Sequence, residues 1–151
     1  MEHLEKKRDD AFEFVYTVPD WYDGPRRGVA DYQGRPHLYE SEWRDGEDMK
    51  ADTFLLTPID EEVFEVALED WKIWRRWETA FHQGKTTQDT HPALPEDQER
   101  RRELDALLKE RLVSDSSRTL RMRAEFRVRH DPEWSSYGFR PLEVRWEPAA
   151  P

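Results

Sequence analysis

One segment constrains this chain more than any other: TPIDEEVFEVALEDWKIWRRWETAFHQG, residues 57–84. Thr57 is a good N-cap and Pro58 suits the first helical position. Asp60, Glu61 and Glu62 fall in the first turn, where the helix dipole favours anions. Gly84 is a good stop. The pattern predicts a helix over about 58–83. At about 100° per residue its apolar side chains, including Trp71, Trp74 and Trp77, cover an arc of about 220°. That arc is wider than an ordinary surface stripe, so the helix is expected to be covered on more than one side.

The flanking segments read as strands. FEFVYTV (12–18) places Phe12, Phe14, Tyr16 and Val18 on one face. GVADY and HLYESEW flank QGRP and predict a hairpin with a four-residue loop. In its second strand His37, Tyr39, Ser41 and Trp43 share a face opposite Leu38, Glu40 and Glu42. PDWYDGP (19–25) reads as a turn, RDGEDMKAD (44–52) as a polar loop and TFLL (53–56) as a short strand. KTTQDTHPALP (85–95) is a loop. PEDQERRRELDALLKERL predicts a second helix, with Leu104, Leu107, Leu108 and Leu112 as its stripe. TLRMRAEFRVRH (119–130) alternates strongly, with Leu120, Met122, Ala124, Phe126 and Val128 inward. LEVRWE (142–147) alternates again after the turn-rich DPEWSSYGFRP.

The order is four strands, two helices, two strands. Segregated elements predict an α+β domain, in which an antiparallel sheet of about six strands packs on one long aromatic-rich helix, with a shorter second helix. A chain of 151 residues fits a single domain, here 11–148, with a frayed lead-in at 1–10 and a tail at 149–151. Aromatics at 13% supply much of the burial that a 36% hydrophobic content would otherwise leave thin.

Several function classes fall away. There is no cysteine, which excludes disulfides, thiolate catalysis and cysteine-based metal sites. MEHLEKKRDD has no apolar core, so a signal peptide is not expected, and no apolar run reaches the ~18 residues of a membrane span. A cytoplasmic protein is the expectation. No Walker loop, GxGxxG or GxSxG pattern is present, and no cofactor is expected. Net charge is −10, with 13 acids against 5 bases between Glu40 and Glu78. Such a surface suits a basic partner and disfavours nucleic-acid backbones and anionic membranes.

Four groups of residues carry the functional readings. Within the helical arc, Arg75, Glu78 and His82 form a row at i, i+3 and i, i+4 spacing beside Trp71, with Asp70 near Trp74 and Trp77. The row reads first as a helix-borne ion pair and second as an acid–base pair lining a cleft. A carboxyl acting as an acid near neutral pH needs desolvation, and a neighbouring arginine opposes this. Glu78 and His82, with His91 or Asp89, are also metal-ligand candidates, and Arg75 opposes a cation there. The second group is the turn-rich 21–42 segment. There Trp21, Tyr22, Arg26, Arg27, Tyr32, Arg35, His37, Tyr39, Glu40 and Glu42 bring residue types common at binding hot spots. The third is the arginine row Arg121, Arg123, Arg127 and Arg129, which could track phosphates. Glu125 interrupts it, and Glu40, Glu42, Glu143 and Glu147 are placed to form cross-strand pairs. The fourth is the acidic surface itself.

The leading expectation is therefore a non-catalytic interaction protein of the adaptor, immunity or antitoxin class, docking another protein through an acidic, aromatic-bearing surface. The alternative is a small-ligand-binding protein or small enzyme with a tryptophan-lined pocket using Arg75, Glu78, His82, Asp70 and His37. Nucleic-acid binding through the arginine strand is third.

Overall fold

Strict alternation along Leu120–Val128 and Leu142–Pro148 requires a sheet with two unlike faces. The computed structural model, which describes residues 11–19, 25–42, 53–129 and 141–149, contains such a sheet. Its strands are β1 (Glu13–Phe14), β2 (Arg27–Tyr32), β3 (Arg35–Ser41), β4 (Thr53–Pro58), β5 (Leu120–Val128) and β6 (Leu142–Pro148). Two helices, α1 (Glu61–His82) and α2 (Gln98–Arg111), lie between β4 and β5. The expected α+β class, the six antiparallel strands and the element order are all present. The lead-in 1–10, Trp21 and Tyr22 of the 19–25 turn, Trp43, the 44–52 loop and most of the 131–141 connection lie outside the described residues.

Spatially the strands run β1-β6-β5-β4-β3-β2. The two ends of this order meet. Val15, just after β1, bridges Ala30 of β2, and the N–H groups of Tyr16 and Thr17 both donate to the Val29 carbonyl, at 2.8 and 3.2 Å. The sheet thereby curls into a barrel, its two end strands joined at this bridge. Thr17 reinforces the closure: its hydroxyl accepts from the Val29 N–H at 2.9 Å, and its carbonyl accepts from the Tyr39 hydroxyl at 2.8 Å. Gly28 makes the second contact sterically feasible. A Cβ there would sit 2.3 Å from the Thr17 carbonyl oxygen and 2.6 Å from the Tyr39 hydroxyl.

The barrel interior is filled. Tyr39, Phe54, Phe126 and Trp146, one from each of β3 to β6, lie with every pair of ring centroids between 5.6 and 6.3 Å apart. Val15, Ala30, Leu56, Met122 and Val144 complete this core. The N-terminal segment corrects the sequence reading. Val15, Thr17 and Val18 are its buried residues, while Phe14 on the other face is exposed. Leu120 and Val128 also differ from expectation, at 44% and 51% exposed, because they end β5 beyond the filled interior. The β2–β3 loop has two residues instead of four. Gln33 (φ 53°) and Gly34 (φ 76°) form the tight turn with two positive φ angles that a twisted hairpin favours.

The start of the long helix moves as well. Thr57 and Pro58 complete β4, paired with Leu38 and His37, and Asp60 becomes the N-cap, accepting from the Val63 N–H at 2.8 Å. Local capping preference at Thr57 lost to the sheet ladder. At the other end, Gly84 (φ 73°) donates to the Phe81 carbonyl and Lys85 to that of Ala80. This pair of bonds is the Schellman arrangement.

Three neighbours cover the broad apolar arc of α1. Val63, Ala67 and Phe64 pack on the outer face of β2–β3, where Val29 and Leu38 lie, together with Leu112. Ile73 and Val66 meet Leu104 of α2 and Ala93 of the loop. Trp77 is 4% exposed, donates from Nε1 to the Thr90 hydroxyl at 2.7 Å and stacks on Phe81. In the leucine stripe of α2, Leu104 and Leu112 are buried, whereas Leu107 is exposed.

Candidate functional site

Trp71 and Trp74 are the two tryptophans of the arc that these neighbours leave half-buried. Their rings lie 6.0 Å apart at 48° and form one wall of a cleft of about 380 Å³. The opposite wall is α2, through Arg101, Asp105, Leu108 and Lys109, and the floor is the barrel closure, through Thr17, Gly28 and Arg27. The volume falls in the range of small-molecule sites, and an apolar lining with a few polar groups is their usual makeup.

The polar groups in the cleft are unusually arranged. Asp70 Oδ1 is buried with no hydrogen-bond partner among the described residues. Arg101 approaches it through Nε at 3.4 Å and reaches Asp105 through Nη2 at 3.9 Å. Both separations exceed the ~2.7–3.2 Å of a directed N–H···O bond. Desolvation, helped by the Asp105 charge, outweighs both the charge of Arg101 and its side-chain contact at Asp70, so the carboxyl titrates above the usual aspartate range. The Asp70 and Arg101 side chains are 17% and 27% exposed, so their opposite charges are shielded from bulk water but incompletely paired. Lys109 closes on Asp105 at 3.0 Å, and Arg27 donates to the Leu112 carbonyl at 2.6 Å, which ties the cleft floor to the end of α2.

The row Arg75–Glu78–His82 lies elsewhere on α1. Arg75 Nη1 meets Glu78 Oε2 at 2.9 Å, with both side chains largely buried, and burial pushes the Arg75 pKa down. His82 ends the helix at the surface, its ring against Phe81. Arg75 borders a second, shallow depression with Arg76, Thr79, Gln83 and Leu94. The row thus does not line the tryptophan cleft. His91 lies nearer: its ring meets Trp74 and Trp77 edge-on at 5.2 and 4.6 Å, and burial and the Arg101 charge lower its pKa. Among the described residues, no three His, Asp or Glu side chains gather in a way that could hold a metal ion, Asp89 and His91 included. No described helix is long and apolar enough to cross a membrane.

The 21–42 group divides. Tyr39 is 0% exposed and belongs to the barrel core, and His37 is buried, its Nδ1 2.8 Å from the Arg35 carbonyl and its ring edge-on to Tyr32. Arg27 reaches the cleft and also lies 3.9 Å from Glu40. Arg35 stands exposed at the hairpin, Arg26 is half-buried, and Glu42 is bound by Arg121 at 2.8 Å. On the arginine strand, Arg127 pairs with Glu143 and Arg145 pairs with Glu125. Arg127 also covers the Phe12 ring at 3.6 Å, and Arg129 covers Phe14 at 4.1 Å. Glutamates and phenylalanines thus occupy much of this face.

A further polar cluster joins the barrel ends. The Tyr16 hydroxyl donates to Asp31 Oδ2 at 3.0 Å, and Trp146 Nε1 donates to the Asp31 carbonyl at 2.9 Å. Burial raises Asp31 above the usual carboxylate range and, with the Asp31 charge, pushes Tyr16 up to about 12.

The helical projection of α1 puts Asp70 near the tryptophans, but nothing local to it points to Arg101, Asp105 or Thr17. One signal was available. Arg101, Asp105, Leu108 and Leu112 fall on one helical row, so the first two share the inward side of the leucine stripe. Against this geometry, no family model matches the chain, and neither a curated protein nor a solved structure matches it.

Proposed function

We propose that this protein binds a small molecule in the cleft between Trp71, Trp74 and α2. The observation that carries this reading is the incompletely paired Asp70–Arg101 couple, shielded from water on an aromatic wall. Shielded polar groups lacking good partners cost stability, and natural chains keep them mostly where a site uses them. This is the ligand-binding alternative of the sequence reading, with Asp70 retained and Arg101 in place of Arg75, Glu78, His82 and His37. A library of small charged aromatics, screened by thermal shift, tests it. A ligand at about 100 times its Kd adds about 2.7 kcal/mol of stability. Hits that disappear in Trp74→Ala support the reading. A library without hits, or hits indifferent to that change, overturns it.

Docking of a basic protein is the second reading. It is favoured by Glu61 and Glu65, which stand exposed on the outer side of α1 within the acid-rich segment. Charge reversal at both positions would slow association with such a partner and flatten its dependence on salt. An unchanged association rate would count against this reading.

A further inference from the structure

The polar groups of the cleft specify more than its existence. Asp70 offers carboxylate lone pairs, Arg101 offers a planar fork of N–H donors, and the two lie side by side at 3.4 Å. An ion pair so long is a weak competitor for a ligand that satisfies both groups at once. Single-charge ligands fare worse. A simple amine that takes Asp70 leaves Arg101 with only the 3.9 Å approach to Asp105, and a simple acid that takes Arg101 strands the desolvated Asp70. A ligand carrying both an ammonium and a carboxylate replaces one poor pair with two good ones. Asp105 is already held by Lys109 at 3.0 Å, which leaves Asp70 as the acceptor for the ammonium.

The apolar part of the site limits the group that the charged head can carry. Trp71 and Trp74 are inclined at 48°, so they form a corner instead of a parallel slot for a flat ring system. Ala67, Leu108 and Leu112 continue that corner toward the barrel. A cleft of about 380 Å³ has room for one amino acid with a large side chain.

We infer that the ligand is a free α-amino acid with an aromatic or branched apolar side chain, its ammonium on Asp70, its carboxylate on Arg101 and its side chain against Trp71 and Trp74. This inference rests on the cleft being a ligand site, and the test separates the two claims. Calorimetric titration of the full chain uses L-phenylalanine, phenethylamine, 3-phenylpropionate and benzyl alcohol. The first has both charged groups, the next two have one each and the last has neither. L-Phenylalanine binding at least tenfold tighter than the other three is the expected result. Asp70→Asn should erase its advantage over 3-phenylpropionate, and Arg101→Gln its advantage over phenethylamine. Thermal melts of both variants check folding. Equal or tighter binding of a single-charge or neutral probe keeps the cleft as a site and overturns the amino-acid assignment. Binding of none of the four overturns both.

Discussion

Gly28→Ala is the substitution whose cost can be worked most directly from the geometry. The glycine sits where the barrel closes, on the floor of the cleft. An added Cβ would lie 2.3 Å from the Thr17 carbonyl oxygen, against an ordinary contact of 3.4 Å or more, and 2.8 Å from Tyr39 Cζ. Neither neighbour is free to yield. Thr17 is fixed by its backbone bond to Val29, and Tyr39 is wedged among Phe54, Phe126 and Trp146. Overpacking of this kind costs about 1–3 kcal/mol. Separating the Tyr39 hydroxyl from the Thr17 carbonyl adds about 1–3 kcal/mol for buried groups left unmatched. The combined loss is about 2–6 kcal/mol, or roughly 5–20 °C in Tm for a chain of this size. Urea denaturation of Gly28→Ala beside Tyr39→Phe separates the two parts. Tyr39→Phe alone should cost about 1–3 kcal/mol. A change within about 0.5 kcal/mol in Gly28→Ala, the range of an ordinary surface substitution, would refute the closure described for β1 and β2.

The other consequences are smaller in scope. Asp70 and Asp31 both titrate above their usual value of 3.8 in the folded chain, so the folded state holds more protons than the unfolded one just above that pH. Their contribution to stability is present at low pH and is lost as pH rises through the folded values. Asp70→Asn should therefore raise stability at pH 7 and leave it little changed below pH 3.8, and a lower midpoint in urea at pH 7 would contradict this. Trp77→Phe removes the bond to Thr90 and leaves a gap beside His91, with an expected loss of about 1–3 kcal/mol in equilibrium unfolding. Glu78→Ala removes the 2.9 Å partner of the largely buried Arg75 guanidinium, and about 1–3 kcal/mol should go. Arg75→Met in the same background should restore part of it, which a double-mutant cycle would read.

Periodicity exposed the elements and left their assembly hidden. Alternation in Leu120–Val128 and the 3.6-residue pattern of Glu61–His82 are local signals, and both elements formed. The closing bridge Val15–Ala30 depends on pairing between segments that carry no mark of each other, so a curled sheet could not be read from FEFVYTV. Thr57 shows the same limit at one residue: its capping preference is real, but pairing with Leu38 decided its place. The cleft is the least local feature of all, since Asp70, Arg101 and Thr17 come from three distant segments. Charged pairs within one helix are visible in the spacing alone, which is why Arg75, Glu78 and His82 stand out in the sequence. Arg101 looks like part of a solvated charge run, ERRREL, although its row leads inward to Leu108 and Leu112.

The cleft beside Trp71 and Trp74 is proposed as the place where this protein meets a small ligand. Nitrogen-15 correlated NMR during titration with L-phenylalanine tests it most directly, because the indole N–H of each tryptophan reports separately. Saturable shifts are expected at the Trp71 and Trp74 indoles and at the Asp70 and Arg101 amides, with Trp77, sealed against Thr90, and Trp146, inside the barrel, unmoved. Shifts absent from the cleft, or concentrated at Trp146 or along the arginine strand, would contradict it.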